Sequence, residues 1–465
     1  MTKNIIKEYT ENKIFYRNLF YLTIPIVLQS LVTSSLNMLD TMMIGRIGET
    51  ELASVGIANQ YYFLFTLFVL GIAGGCGVLI AQLWGKKDTN SIRVVLAKSL
   101  AWGLFVSLAF SIIGLIIPGK IIALFSKDIL VQNLGSEYLR IVAFSYIFTA
   151  ISFIFSSSLR SIGNTKLPMY ASILGLLING ALNYVLIFGH FGFPQLATKG
   201  AAIATLIARI IECSIILYAV TFKRKTLKLE KKDFKGLSNN MLKTLTKVTL
   251  PIVINETSWG LGNVTYIAIY ARIGTKAAAA IQICSTILNL FMIFAFGLAY
   301  AAVVIIGNEV GAGNEEKAID ASKKISILSV IMSILMGIML FSSTKTIVSF
   351  FNISSEVKQY STYILYIYSL IMTVKVFNLV MIVGILRGGG DATYGSILQT
   401  STLWLIGIPL AYISAFLLNL PVYMVVTFTA VEELIKVILL LRRFKSYRWI
   451  KNVIDPGNMQ EVTAS

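Results

Sequence analysis

Apolar runs longer than a bilayer is thick recur along this chain, and no other feature of the sequence restricts its fold so severely. A helix needs roughly 18–20 apolar residues to cross a hydrocarbon core, and runs such as 52–84 and 278–309 exceed that. The period-2 alternation of outer-membrane strands is absent, so the runs read as helices. Composition agrees: hydrophobic residues make up 56% of the 465 and charged residues 13%, with a mean hydropathy of +0.77. Soluble domains are nearer about one quarter charged, so this chain has too little polar surface to cover itself in water. Twelve spans follow, at roughly 19–43, 52–84, 94–117, 138–159, 168–189, 200–221, 248–270, 278–309, 322–343, 361–386, 394–417 and 421–441.

A net charge of +18 raises nucleic acid as a partner, but the basic residues gather in a few short loops and form no stripe on a soluble domain. Lys3, Lys7, Lys13 and Arg17 precede the first span; Lys86, Lys87 and Arg93 follow the second; Arg160 and Lys166 follow the fourth. Lys223, Arg224, Lys225, Lys228, Lys231, Lys232 and Lys235 lie between the halves. Lys317, Lys323, Lys324 and Arg387 come next, and then the tail with Arg442, Arg443, Lys445, Arg448 and Lys451. All fall on one side only with twelve spans, which predicts a multi-pass inner-membrane protein with both termini cytoplasmic. Residues 1–18 are polar and the run after them is too long for a cleaved signal, so the first span is expected to be retained. Cys76, Cys213 and Cys284 sit inside apolar runs without ligand spacing, and the single His190 lies in a loop. Neither a histidine metal cage nor a histidine proton relay is expected, and no cofactor.

The spans come in two copies. Leu22–Gly85 aligns without a gap on Val248–Gly311 at an offset of 226, with 18 of 64 positions identical. Among the identities are Thr23/Thr249, Pro25/Pro251, Asn37/Asn263, Arg46/Arg272, Gly48/Gly274, Gly71/Gly297 and Gly85/Gly311. "LRSIGNT" at 159–165 recurs as "LRGGGDA" at 386–392. Six spans per half is an even number, so the copies share one orientation, a parallel repeat of a kind found in transporters. The expected organisation is an N-terminal lobe over 1–221, a basic cytoplasmic linker over 222–247, a C-terminal lobe over 248–441 and a cytoplasmic tail over 442–465. Pro25 and Pro251 each remove a backbone hydrogen bond near the start of a half's first helix and invite a kink there.

At several places the sequence resembles the multidrug and toxic compound extrusion (MATE) family. "NMLDTMMIGRIGETELASVGIANQ" (37–60) resembles that family's first loop region, and "LRSIGNTKLP" (159–168) and "LRGGGDATY" (386–394) its fourth and tenth helix ends. "KGAAIATLIARIIE" (199–212) resembles its sixth helix. The resemblance covers essentially the whole chain and implies two six-helix lobes facing a central cavity. It also implies export of cationic or amphipathic organic compounds, driven by inward H⁺ or Na⁺.

Ionisable groups at bilayer depth cost roughly 2.5–3.5 kcal/mol each on the insertion scale, so each calls for a reason. Asp40 lies roughly 30 Å along the first span; burial makes its charge costly, so a proton, Na⁺ or a bound organic cation competes for it. The resemblance implies that this position is the N-lobe cation-binding carboxylate. Where family members carry a second acid on the fifth helix, this chain has Asn183, one turn after Asn179. A single acid ringed by amide and hydroxyl oxygens from Asn179, Asn183 and Thr205 then remains, a donor set that also suits Na⁺. Glu256, near the middle of the seventh span, resembles a family signature with an intramembrane glutamate, and Lys375 lies at similar depth in the tenth; the two are expected to pair. Arg209 with Glu212, and Glu432 or Glu433 with Lys436, are expected to pair along their own helices. Gln29, Gln60, Gln282 and Tyr138 are candidates to line a cavity or to bond between helices.

These readings predict a monomeric cation-coupled antiporter, not an enzyme, that carries small organic molecules across a lipid bilayer by alternating access. A lipid-linked glycan flippase of the same superfamily is the alternative; it would need a basic cavity, for which Lys375 and Arg209 are the candidates. A membrane enzyme lacks support, since no metal-ligand cluster, nucleophile motif or phosphate loop occurs in the sequence.

Overall fold

A computed structural model describes residues 2–223, 225–235 and 239–455. Arg224 of the expected linker and residues 456–465 of the expected tail lie outside the described residues, as do the side chains of Lys3, Lys7, Lys223, Lys225 and Lys235. The described chain is helical, without strands. In order it forms α1 (Thr2–Gly45), α2 (Glu49–Gly85), α3 (Thr89–Ile116), α4 (Pro118–Ala123), α5 (Ile129–Ala143), α6 (Ser145–Ser161), α7 (Lys166–Phe188) and α8 (Ala197–Tyr218). After a short α9 (Lys231–Lys235) come α10 (Asn239–Ile273), α11 (Thr275–Gly311), α12 (Glu315–Ser349), α13 (Ser355–Leu379), α14 (Ala392–Thr402), α15 (Ile408–Tyr412) and α16 (Val422–Lys445). π-Helical turns at Val380–Leu386, Leu403–Gly407 and Ile413–Leu417 continue α13, α14 and α15.

Helix is the element that satisfies every backbone group internally where water is absent. Among the described residues nine helices are long and apolar enough to cross a membrane, or ten when α5 and α6, bent by 49° at their junction, are taken as one span. The other two expected spans coincide with α10 and α16. Those helices are long, but α10 carries Asn255, Glu256 and Asn263 midway and α16 carries Glu432, Glu433 and Lys436.

The chain packs as two units. Leu28–Val253 form one, and Met1–Val27 with Ile254–Ser465 form the other. Both boundaries fall inside helices, two residues beyond Pro25 in α1 and two beyond Pro251 in α10. In the first unit the start of α10 lies against α2: a Cβ at Gly71 would fall 2.5 Å from Val253 Cα, and one at Gly75 would fall 2.7 Å from Thr249 Cα. In the second unit Gly297, the repeat mate of Gly71, meets Val27 and Thr23, the repeat mates of Val253 and Thr249. Small residues let helices approach closely in lipid, where apolar contact alone does not drive them together. The repeat is therefore conserved between the halves as a contact as well as a sequence.

Candidate functional site

In the first unit, helices α1, α2, α5, α7 and α8 enclose a cavity of about 390 Å³. Polar residues on otherwise apolar helices turn into it at helical spacing. Asn179 and Asn183 stand one turn apart on α7, and Thr205, Arg209 and Glu212 follow one another along α8. Gly175 on α7 admits the α8 backbone, since a Cβ there would lie 3.3 Å from the Ala208 carbonyl oxygen.

Asp40 is the hub. Asn183 donates from Nδ2 to Asp40 Oδ1 at 2.5 Å, while its own Oδ1 is buried without a hydrogen-bond partner. With its amide nitrogen turned to Asp40, Asn179 donates to both carboxylate oxygens at 3.1 Å and accepts from the Thr205 backbone N–H at 3.3 Å. Arg209 and Glu212 pair at 2.7 Å, as their i, i+3 spacing predicts. Asp40 itself has no cationic side chain within ion-pair distance among the described residues, so it is the unmatched charge of the cavity. Tyr138, Asn59, Tyr62 and Thr66 complete the polar wall. Gln29, Gln60 and Gln282 lie outside this cavity, the last two exposed.

The second unit holds its charges differently. The expected Glu256–Lys375 pair does not form: Glu256 takes Arg387 at 2.7 Å, and Lys375 lies 4.0 Å from Glu433. Lys436 sits between Glu432 at 2.8 Å and Glu433 at 3.2 Å. Tyr266, the repeat mate of Asp40, donates to Glu432 at 2.9 Å, and Asn378 donates to Glu433 at 2.7 Å. A side chain at Gly407 would collide with both Tyr266 and Glu432. Glu256, Glu432 and Glu433 each have a cationic partner. Among the described residues no three His, Cys, Asp or Glu side chains converge as metal ligands, and the three cysteines are buried and free.

A profile of the MatE family matches residues 25–185 and 251–413, well over half of the chain and once in each half. The chain belongs to the MATE family. It is thereby a multi-pass membrane protein of a transporter family. This MATE protein is 25% identical over 434 residues to the "Uncharacterized transporter YisQ" of Bacillus subtilis, covering 93% of this chain and 95% of the relative. It is 26% identical over 412 residues to the "Probable multidrug resistance protein NorM" of Thermotoga maritima, covering 85% of each. Its fold matches a solved "outward-facing conformation of a multidrug resistance MATE family transporter" with a TM-score of 0.85 at 20% identity, over 93% of this chain and 96% of that one. A transporter of the wider MOP superfamily from Pyrococcus furiosus matches over the same shares with a TM-score of 0.84.

Two features of the MATE chain escaped the sequence reading. Arg387, a loop charge by its place in the sequence, is buried at the end of a π-helical turn and pairs with Glu256. The cavity wall of Asn59, Tyr62 and Thr66 carries the 3–4-residue spacing of one helix face, which is its signal in the sequence.

Proposed function

We propose that this protein is a cation-coupled antiporter that exports amphipathic, cationic organic molecules by alternating access, and that Asp40 binds the coupling ion and the substrate in turn. The observation that carries this reading is the solitary charge of Asp40 in a cavity otherwise neutral. An unpaired carboxylate at bilayer depth marks an ion or substrate pathway, where a mobile cation can neutralise it. H⁺ or Na⁺ can do so, and the Asn179 amide, with an oxygen on one side and a donor on the other, can serve both occupied and empty states. The unpartnered Asn183 Oδ1 and the Thr205 hydroxyl add oxygens of the kind that hold a hard cation. Glu256 and Lys375 take the part of a charge switch in the second unit, each through the partner the structure gives it.

In this reading the protein sits in the cell membrane as a monomer. Both termini, the 222–247 linker and the 442–465 tail face the cytoplasm, where the basic loops gather. The names of the NorM relatives, multidrug resistance proteins, support the substrate class. The test is Asp40→Asn in proteoliposomes and in drug-sensitive cells. Gradient-driven efflux and resistance should be lost while expression and folding are kept; efflux equal to the parent protein would overturn the role assigned to Asp40.

A further inference from the structure

The tail after α16 is seated on the turn at Arg387–Asp391. The turns at Arg160–Asn164 and Arg387–Asp391 are built alike. Gly163 and Gly390 are left-handed, with φ of +83° and +90°. Gly163 N donates to Arg160 O at 2.8 Å and Gly390 N to Arg387 O at 3.0 Å, and Asn164 and Asp391 close the same outer bond, each at 2.8 Å. Three positions differ: Ser161 corresponds to Gly388, Ile162 to Gly389, and Asn164 to Asp391.

The last two differences serve the tail. Gly389 does not need to be glycine for its backbone, which is not left-handed; any side chain there would run into the Trp449 ring. Trp449 is fully buried, stacks on Phe444 and donates from its indole nitrogen to the Phe444 carbonyl at 3.2 Å. Lys451 N donates to Gly389 O at 2.6 Å. Asp391, 1% exposed, takes Lys451 Nζ at 2.6 Å and Arg443 Nε at 2.7 Å. The side chain of Asn164, its counterpart, accepts from Leu167 N at 3.4 Å. Arg387, two residues before Gly389, is the partner of Glu256.

We infer that Trp449, Lys451 and Asp391 are positioning residues: the tail braces the glycine turn that holds Arg387 against Glu256. A buried pair of this kind depends on close geometry, because a displaced partner leaves an uncompensated charge. The consequence for transport rests on the proposed role of Glu256; the positioning itself does not.

Two measurements on the full-length protein decide the matter. The first is backbone hydrogen exchange of Trp449→Ala, of Lys451→Gln as the milder change, and of Trp449→Phe as the conservative one. Peptides covering 385–391 and 254–258 should exchange at least about tenfold faster in Trp449→Ala and return towards the parent rate in Trp449→Phe. Faster exchange confined to the tail, with 254–258 unchanged, would overturn the inference. The second is a double-mutant cycle on transport. Trp449→Ala should lower efflux severalfold alone and have no further effect in Glu256→Gln, whereas independent, multiplying losses would refute the coupling. A Glu256→Gln variant that transports normally would remove Glu256 from the mechanism and leave the exchange result to judge the brace.

Discussion

Asn183→Leu separates the two candidate coupling ions, because the residue does two jobs for Asp40. Its Nδ2 donates a 2.5 Å bond to the carboxylate, and its Oδ1 is buried and unpartnered in the wall of the same cavity. Leucine fills a similar volume and removes both. A buried hydrogen bond to a charged group contributes about 1.5–3 kcal/mol, which is roughly tenfold to 150-fold in an equilibrium constant. The sign depends on the ion. Without the donor the bare carboxylate is less favourable, so a proton binds more readily and proton-driven efflux should half-saturate at a roughly tenfold lower proton concentration. Na⁺ instead loses an oxygen ligand, so Na⁺-driven efflux should need at least about tenfold more Na⁺. The assay is efflux of a fluorescent organic cation from proteoliposomes, with the pH gradient and the Na⁺ gradient imposed separately. A variant that transports well, with both half-saturating concentrations unchanged, would refute the assignment of Asn183 to the site.

Two further outcomes follow from packing and charge. Lys436→Met should lower the thermal stability of the purified protein by about 3–5 kcal/mol, since it leaves Glu432 and Glu433 buried without their shared ammonium. Adding Glu432→Gln and Glu433→Gln should recover most of the loss; a stable single variant would show that the cluster is not held by charge. Gly71→Val should destabilise by about 1–3 kcal/mol or more, because the α10 backbone at Val253 leaves no space, and thermal unfolding that matches the parent protein would contradict the close approach.

The first unit's site was legible because its signals are local. Asp40, Asn179, Asn183 and Thr205 are polar residues in apolar spans, and the one-turn spacing of the asparagines fixes a common face. The second unit's pairing was not legible for a physical reason. Lys375 and Arg387 are twelve positions apart, with a π-helical turn between them at Val380–Leu386. Each residue of helix advances the face by about 100°, so a wider turn shifts which helix the later side chain meets. Similar depth in the membrane alone sets Glu256 beside Lys375 in the sequence, whereas past the turn it is Arg387 that meets Glu256. The tail was read as a cytoplasmic charge cluster, because no periodic pattern marks a single buried tryptophan. Orientation was inferred from the same loop charges, several of which, including Arg387 and Arg443, are engaged in pairs.

In the proposed mechanism coupling ion and organic cation meet at a single carboxylate. Linkage makes this measurable at equilibrium, since two ligands that exclude each other weaken each other by the same factor. Binding of a fluorescent organic cation to the purified protein, titrated against Na⁺ at fixed pH and against pH at fixed Na⁺, should show an apparent Kd that rises with one of the two ions. In Asp40→Asn that dependence should disappear. The same ion dependence in the variant as in the parent, or none in the parent, would contradict the claim.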